Sequence, residues 1–326
     1  MMNSVYASVD LGGTKIACAF AGSDGQVICQ KTIPTLSHQG PKAVLDRIAG
    51  LVLELAARCG QRPDALGMGV PGLADLEQGA VKFLPNLPTN WRNVPARDHL
   101  APQIGCPVYL LNDARMATLG ELTFGQGKSV GTMAFFTLGT GIGGGIVIDG
   151  KLRLGPLGAA GELGHQTILP NGPRCGCGSR GCLETLAGGP AITAEGIRLL
   201  LSGQTTQLHK LVEGNPAHVS PKEMAQAAEL GDTAVHQSLV DAATYLGVGI
   251  ANVVSTIHPE LVVLAGSVAE IGPLLFDTLR QVVPKRVGMF PAQNVRIEPS
   301  ELGNRAGLLG GIALAMQDGL RQNKEA

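Results

Sequence analysis

The stretch VYASVDLGGTKIACAF, Val5 to Phe20, decides the fold. An apolar, β-prone run from Val5 to Val9 gives way to the turn Asp10-Leu-Gly-Gly-Thr-Lys15, and Ile16 to Phe20 resumes the strand pattern. Asp24-Gly25 marks a further hairpin turn. The design returns later: Met133 to Leu138, then Gly139-Thr-Gly-Ile-Gly-Gly-Gly145, then Ile146 to Ile148 and an Asp149-Gly150 turn. Both segments place a Leu-Gly turn after an apolar strand. This echo points to two domains of one design, whose turns would grip one phosphate chain from two sides. Two unrelated glycine-rich turns would read the same way.

Glycines after a strand let backbone N–H groups face an anion with no Cβ in the way. Beside Gly12 and Gly13, Thr14 offers a hydroxyl, Lys15 a cation, and Asp10 a carboxylate able to hold Mg²⁺ through water. The spacing, and the strand that follows, exclude a Walker A loop. An ordinary hairpin turn fits the same residues, and the second turn at Gly139, Thr140 and Gly141 shares that ambiguity.

The bulk numbers agree with a folded chain of two domains. The 326 residues suffice for two domains; 44% are hydrophobic and only 16% charged, which supports sizeable cores. The net charge of −1 offers no global basic field, so nucleic acid is not an expected partner. The N-terminal MMNSVYASVDLGG has no basic region and does not read as a signal peptide. The longest apolar stretches are broken by His258, Pro259 and Glu260 or by glycine-rich turns, so none is expected to span ~20 residues as a membrane helix must. A cytoplasmic setting is expected, with cysteines reduced. Cys18, Cys29, Cys59 and Cys106 read as core or surface residues.

Along the chain, a helix is expected from Pro41 to near Gly60, and strands at Ala65–Val70 and Val108–Leu111. A capping box, Ser220-Pro-Lys-Glu223, opens a helix in the second half. A long helical pattern then runs from Val235 to Ile257, followed by a short strand at Leu261–Leu264. Close packing explains Gly307, Gly310 and Gly311 in a final apolar helix.

Two constellations carry chemistry. Leu111-Asn112-Asp113 puts a carboxylate at the carboxyl end of a strand, where α/β proteins place their sites. Asp113 reads either as the cap of the next helix or as a general base for a substrate hydroxyl. Cys175, Cys177 and Cys182 lie within eight residues, interleaved with Gly176, Gly178 and Gly181. Three soft ligands, with His165 as the nearest fourth, make a Cys3His zinc site, and the glycines let the loop fold round the ion. Cys175 and Cys177 are too close for an easy disulfide, and a zinc-ribbon or thioredoxin spacing is not present.

These segments, with Gly161-Glu-Leu-Gly-His165, CGCGSRGCLE at 175–184 and Leu264-Ala-Gly-Ser267, occur in the order seen in the ROK sugar kinases, and the resemblance covers nearly the whole chain. It implies an α/β, actin-like or hexokinase-type (ribonuclease H-like) fold of two domains flanking a cleft. The expected small domain holds residues 1–113 plus 305–326, and the large one 114–304. It implies ATP- and Mg²⁺-dependent phosphorylation of a hexose at its 6-hydroxyl. By similarity, Asp10, Gly12, Gly13, Thr14 and Lys15, and Gly139, Thr140 and Gly141, contact phosphates. Gly266 and Ser267 lie by the adenosine. Asn86, Asn112, Asp113, Glu162, His165 and Glu184 match sugar-contacting positions, and Asp113 matches the catalytic base. His165, Cys175, Cys177 and Cys182 match structural zinc ligands.

FLPNLPTNWRNVP at 83–95 resembles the glucokinase branch, which makes glucose the expected sugar, with other hexoses and aminosugars as alternatives; Trp91 there reads as a core anchor. Ala187 departs from the serine that relatives often carry. The family also holds sugar-responsive repressors with a DNA-binding element ahead of the first turn. Only nine residues precede Asp10, so that element is not expected here. Intact phosphate turns and Asp113 speak against a non-catalytic sugar-binding module. The resemblance implies a dimer or tetramer.

Overall fold

The computed structural model describes residues 4–84, 89 and 91–320. The chain folds into two compact units. Unit 1 comprises Met1–Ser129, Gly150–Ala160 and Glu301–Ala326; unit 2 comprises Val130–Asp149 and Gly161–Ser300.

Unit 1 opens with β1 (Val5–Leu11), β2 (Lys15–Gly22) and β3 (Val27–Pro34), then α1 (Pro41–Cys59) and β4 (Ala65–Val70). The small strands β5 (Leu73–Asp75), β6 (Ala80–Phe83) and β7 (Arg92–Val94) lead to α2 (Ala96–Ile104), β8 (Val108–Asn112) and α3 (Asp113–Phe124). The main sheet has the order β3-β2-β1-β4-β8. β1 is antiparallel to β2 but parallel to β4, and β4 is parallel to β8. Three parallel strands therefore end along one edge, where Asp10 pairs in register with Gly69, and Val70 with Asn112. α1 starts with proline at its first turn and stops at Gly60, whose φ of 73° few other residues adopt. Its Val44, Leu45, Ile48, Leu51, Val52 and Leu55 face the core, which also takes in Trp91.

Unit 2 contains β9 (Met133–Leu138) and β10 (Ile142–Ile148); β11 (Lys151–Arg153) follows in the segment assigned to unit 1. Unit 2 resumes with α4 (Glu184–Ala187), α5 (Gly189–Leu201), α6 (Gln207–Leu211), α7 (Pro221–Glu229), α8 (Thr233–Ile257), β12 (Leu261–Ala265), α9 (Pro273–Arg286) and β13 (Arg296–Pro299). Its strands run β10-β9-β12-β13, with β9, β12 and β13 parallel. Ser220 caps α7 by accepting from the Lys222 N–H, and its hydroxyl donates to the Glu223 carboxylate, so the two box residues meet through their side chains. α10 (Ala306–Met316) then returns to unit 1.

The structure departs from the sequence expectations in four places. The boundary expected after Asp113 lies elsewhere, because α3 packs along α10 inside unit 1. A Cβ at Gly120 would come within 2.3 Å of the Ala306 carbonyl oxygen, and one at Gly310 within 1.7 Å of that of Met116. The run Gly139–Gly145 is not all turn: Ile142 to Gly145 belong to β10, where a Cβ at Gly144 would strike Leu163 at 2.7 Å. Cys29 and Cys59, read as reduced core or surface thiols, form a disulfide joining β3 to the end of α1, their Cα atoms 6.8 Å apart.

The fourth departure is α8. At 25 residues, with a mean hydropathy of 1.3 over its most apolar window, it is long and apolar enough to cross a membrane. Its apolar side, from Val235 through Leu239, Leu246 and Ile250 to Val254, is instead buried in the core of unit 2. Its exposed side carries His236, Gln237, Asp241, Asn252, Ser255 and Thr256, the pattern of a core helix.

Candidate active site and metal centre

In unit 1 the candidate residues collect at the carboxyl ends of the parallel strands. Asp10 ends β1 and is largely enclosed; burial raises its carboxyl above the usual range, and Lys15 pulls in the opposite direction. A nearby divalent cation would favour the ionised form. The turn Gly12–Lys15 is closed by a hydrogen bond from the Gly12 N–H to the Lys15 carbonyl at 2.9 Å, and Gly13, Thr14 and Lys15 are exposed.

At the end of β8, Asn112 and not Asp113 is the N-cap of α3. The Asn112 Oδ1 accepts from the Ala114 N–H at 3.0 Å and the Arg115 N–H at 3.2 Å. Its Nδ2 donates to the Gly72 carbonyl at 3.1 Å. Asp113 is the first residue of the helix, half-buried, with Oδ1 taking the Ala114 N–H at 2.8 Å. Asn86 lies outside the described residues.

Arg115, which the sequence did not single out, completes this corner. Its side chain is buried, and it donates to Asn112 Oδ1, to the Ala160 carbonyl and to the Ala159 carbonyl, each at 2.9 Å. One guanidinium thus fixes the cap residue and the backbone just ahead of Gly161-Glu162. No periodicity signals this, since its carbonyl partners lie 44 and 45 positions away.

In unit 2, the turn Gly139–Gly141 closes through the Gly139 N–H on the Gly141 carbonyl at 2.9 Å. The Gly139 carbonyl accepts from Gly189, the first residue of α5, at 2.8 Å. Gly266 follows β12 with φ 95°, and a Cβ there would fall 2.4 Å from the Leu138 carbonyl. Glycine at 266 therefore lets the Gly266-Ser267 turn sit against the end of β9. Two glycine turns and a helix N-terminus converge at the carboxyl ends of parallel β9 and β12, a geometry suited to an anion.

Glu162, His165 and Glu184 are brought together in the same unit. The His165 Nε2 lies 3.8 Å from Glu162 Oε2, and its Nδ1 lies 3.7 Å from Glu184 Oε1. Glu184 Oε2 accepts from the Ile142 N–H at 3.2 Å, which ties α4 to the Gly141 turn. A Cβ at Gly141 would come 2.8 Å from that oxygen.

The ligand atoms of His165, Cys175, Cys177 and Cys182 all lie within 4.8 Å of one another. Cys177 and Cys182 sulfurs are 3.7 Å apart, and Cys175 Sγ is 3.6 Å from His165 Nδ1. With Zn–S of about 2.3 Å and Zn–N of about 2.05 Å, a tetrahedral zinc spaces S···S at about 3.75 Å and N···S at about 3.6 Å. The cluster fits that ion. Gly181, at φ 62°, lets the loop cross Leu169, whose carbonyl a Cβ would meet at 1.6 Å. Burial pushes the Cys175 thiol up to about 12 and raises that of Cys182, whereas the Ser179 backbone N–H lowers that of Cys177. A divalent cation reverses the upward shifts by binding the thiolates. The Cys175 thiol donates to Glu184 Oε1 at 3.1 Å, a bond that a metal-bound thiolate cannot make.

Sequence comparison matches the ROK family over residues 6–318. The chain belongs to the ROK family. It is 37% identical to a glucokinase of Thermotoga maritima over 318 residues, covering 94% of this chain and 95% of that protein. It is 32% identical to a xylose repressor of Caldicellulosiruptor bescii, over 95% of this chain and 77% of the repressor. Among solved structures, the ROK glucokinase of Streptomyces griseus in complex with glucose and AMPPNP superposes with a TM-score of 0.82. That pair is 32% identical, covering 96% of this chain and 100% of the other. The fold is therefore the actin-like, hexokinase-type ROK fold, and both kinases and regulators stand near this member of the family.

Proposed function

We propose that this ROK protein transfers the γ-phosphoryl group of ATP to the 6-hydroxyl of a hexose, with glucose as the preferred acceptor. The observation that carries the reading is the division of labour at the end of β8. Asn112 serves as helix cap, and Asp113 stands beside it at the strand end, where a base for the 6-hydroxyl would be needed. A sugar-responsive regulator needs to bind its sugar but has no need of a general base or of two phosphate turns. The similarity to glucokinases supports glucose; the similarity to a xylose repressor keeps sugar sensing as a second reading.

In the proposed reaction, the sugar's hydroxyls are met by Glu162, His165 and Glu184 and by Asn112 and Asp113, with Asn86 a further position that the family resemblance assigns to the sugar. Carboxylates, amides and an imidazole together satisfy a ring of hydroxyls that both donate and accept. Asp113 takes the proton of the 6-hydroxyl as the sugar oxygen attacks the γ-phosphorus, and the bond from that phosphorus to the bridging oxygen breaks to release ADP. The Gly12–Lys15 and Gly139–Gly141 turns hold the phosphates, Asp10 the hydrated Mg²⁺, and Gly266-Ser267 the adenosine side. Phosphoryl transfer depends on such alignment and charge neutralisation more than on covalent chemistry. A zinc ion in the Cys3His cluster would fix the imidazole through Nδ1, leaving Nε2 for the sugar.

An ADP-release assay over hexoses and aminosugars tests this reading. Glucose should give the highest kcat/KM. Asp113→Asn should lower kcat by about 10²–10⁴-fold with glucose binding retained. A near-wild-type rate in that variant would remove Asp113 as the base, and binding of sugar without turnover of any would favour the sensing role.

A further inference from the structure

Thr35 follows β3 and has no solvent exposure, so it touches no substrate. Both of its hydrogen-bond donors nevertheless go to the first phosphate turn. Its Oγ1 donates to the Gly12 carbonyl at 2.7 Å, and its N–H donates to the Thr14 carbonyl at 2.9 Å. Its own carbonyl accepts from Arg47 Nη1 of α1 at 2.8 Å, and the other Arg47 nitrogen bonds the Gln39 side chain. The Lys15 carbonyl is meanwhile taken by the Gly12 N–H. The carbonyls of Gly12, Thr14 and Lys15 are thus all engaged by the protein.

A trans peptide points its C=O and the following N–H in opposite directions. Holding the Gly12 carbonyl on Thr35 therefore turns the Gly13 N–H away from Thr35. Left alone, the Gly12-Gly13 peptide would rotate readily, because glycine resists so few backbone angles. A carbonyl turned outward would repel the phosphate that an N–H attracts.

We propose that Thr35 is a positioning residue for the phosphoryl donor. Its hydroxyl sets the orientation of the Gly12-Gly13 peptide, and Arg47 holds Thr35 in place from α1. The proposal rests on the reading of the Gly12–Lys15 turn as a phosphate site. It places the effect of Thr35 on the nucleotide and not on the sugar.

Thr35→Val keeps the shape and removes only the hydroxyl. One buried hydrogen bond is worth about 1 kcal/mol, so KM for ATP should rise roughly five- to tenfold. KM for glucose should stay within about twofold, and Thr35→Ser, which restores the Oγ, should return KM for ATP toward wild type. An unchanged KM for ATP, or a parallel rise in both KM values, would overturn the proposal; the second outcome would mark a merely structural residue. If Thr35→Val does not fold, Arg47→Met carries the same test, with the same selective rise expected. Displacement of a fluorescent ADP analogue separates this proposal from the kinase reading. If the wild type binds ADP but phosphorylates no sugar, the kinase reading fails. Thr35 is then judged by ADP affinity alone: a five- to tenfold loss in Thr35→Val upholds its role, and equal affinity ends it.

Discussion

Asn112, Asp113 and Arg115 share one turn of helix but have three fates. The amide caps, the carboxylate stands at the strand end, and the guanidinium is buried and bonded to the amide. A buried charge is tolerated only when its donors are used, and Arg115 spends them on an amide oxygen and two main-chain carbonyls. Arg115→Met should leave the Ala159 and Ala160 carbonyls without that donor, at a cost of about 1–3 kcal/mol for each group left buried and unbonded. Urea unfolding should show the loss. Arg115→Lys should not repair it, because one ammonium cannot reproduce the planar fork; full recovery with lysine would refute this account. The sequence made Asp113 legible as cap or base but could not choose, since Asn112 competes for the same N–H groups. Arg115 was not legible at all, because an arginine in the first turn of a helix ordinarily lies in water.

The glycines of α10 illustrate how an element is specified. The sequence reading assigned Gly307, Gly310 and Gly311 to close packing; the structure supplies close partners for Gly310 and Gly311, whereas a Cβ at Gly307 would meet only the Asp10 carboxylate, at an ordinary 3.5 Å. A Cβ at Gly310 would overlap the Met116 carbonyl of α3, and one at Gly311 would lie 2.1 Å from Ser8 Oγ on β1. Gly67 on β4 meets the Gly311 carbonyl at 2.0 Å by the same test. Gly310→Ala should therefore destabilise by about 1–3 kcal/mol or more, as overpacking does. Gly50→Ala is the matched comparison. It sits in α1 with nothing within 4 Å of its added Cβ, and should stabilise by about 0.5–1 kcal/mol through helix propensity. Chemical denaturation of both variants decides whether contact or propensity governs. Strands β4, β8 and β9 were readable because their apolar runs ended at a proline, a polar pair and a glycine respectively. The Gly139–Gly145 run was misread as turn throughout, because glycine signals both a turn and a strand approached closely by its neighbours.

At the scale of the molecule, the two units were legible as a repeated strand–turn–strand design, but their borders were not. The chain passes between units after Ser129, Asp149, Ala160 and Ser300, and no change of composition marks those points. The division has a measurable consequence. The Cys3His cluster lies wholly in unit 2, whereas the single tryptophan, Trp91, is buried in the core of unit 1. Structural zinc contributes about 10–16 kcal/mol of apparent binding energy in small domains. Removing metal with a strong chelator should lower a calorimetric transition by several degrees and leave the midpoint read by Trp91 fluorescence nearly unchanged. A Trp91 midpoint that falls equally would show that the units melt as one, and no shift in either would argue against a bound metal.

The position of α10 also governs how the protein can be made. It packs against β1, β4 and α3, yet it is synthesised some 300 residues after β1. On the ribosome, the first strands of unit 1 must wait for some 300 further residues to be made before this neighbour emerges. Unit 2 has all its strands in hand by Ser300 and is free to fold in that interval. Strands β1 and β4 therefore stay uncovered on that side while unit 2 is being made, and α10 is the stitch that closes them.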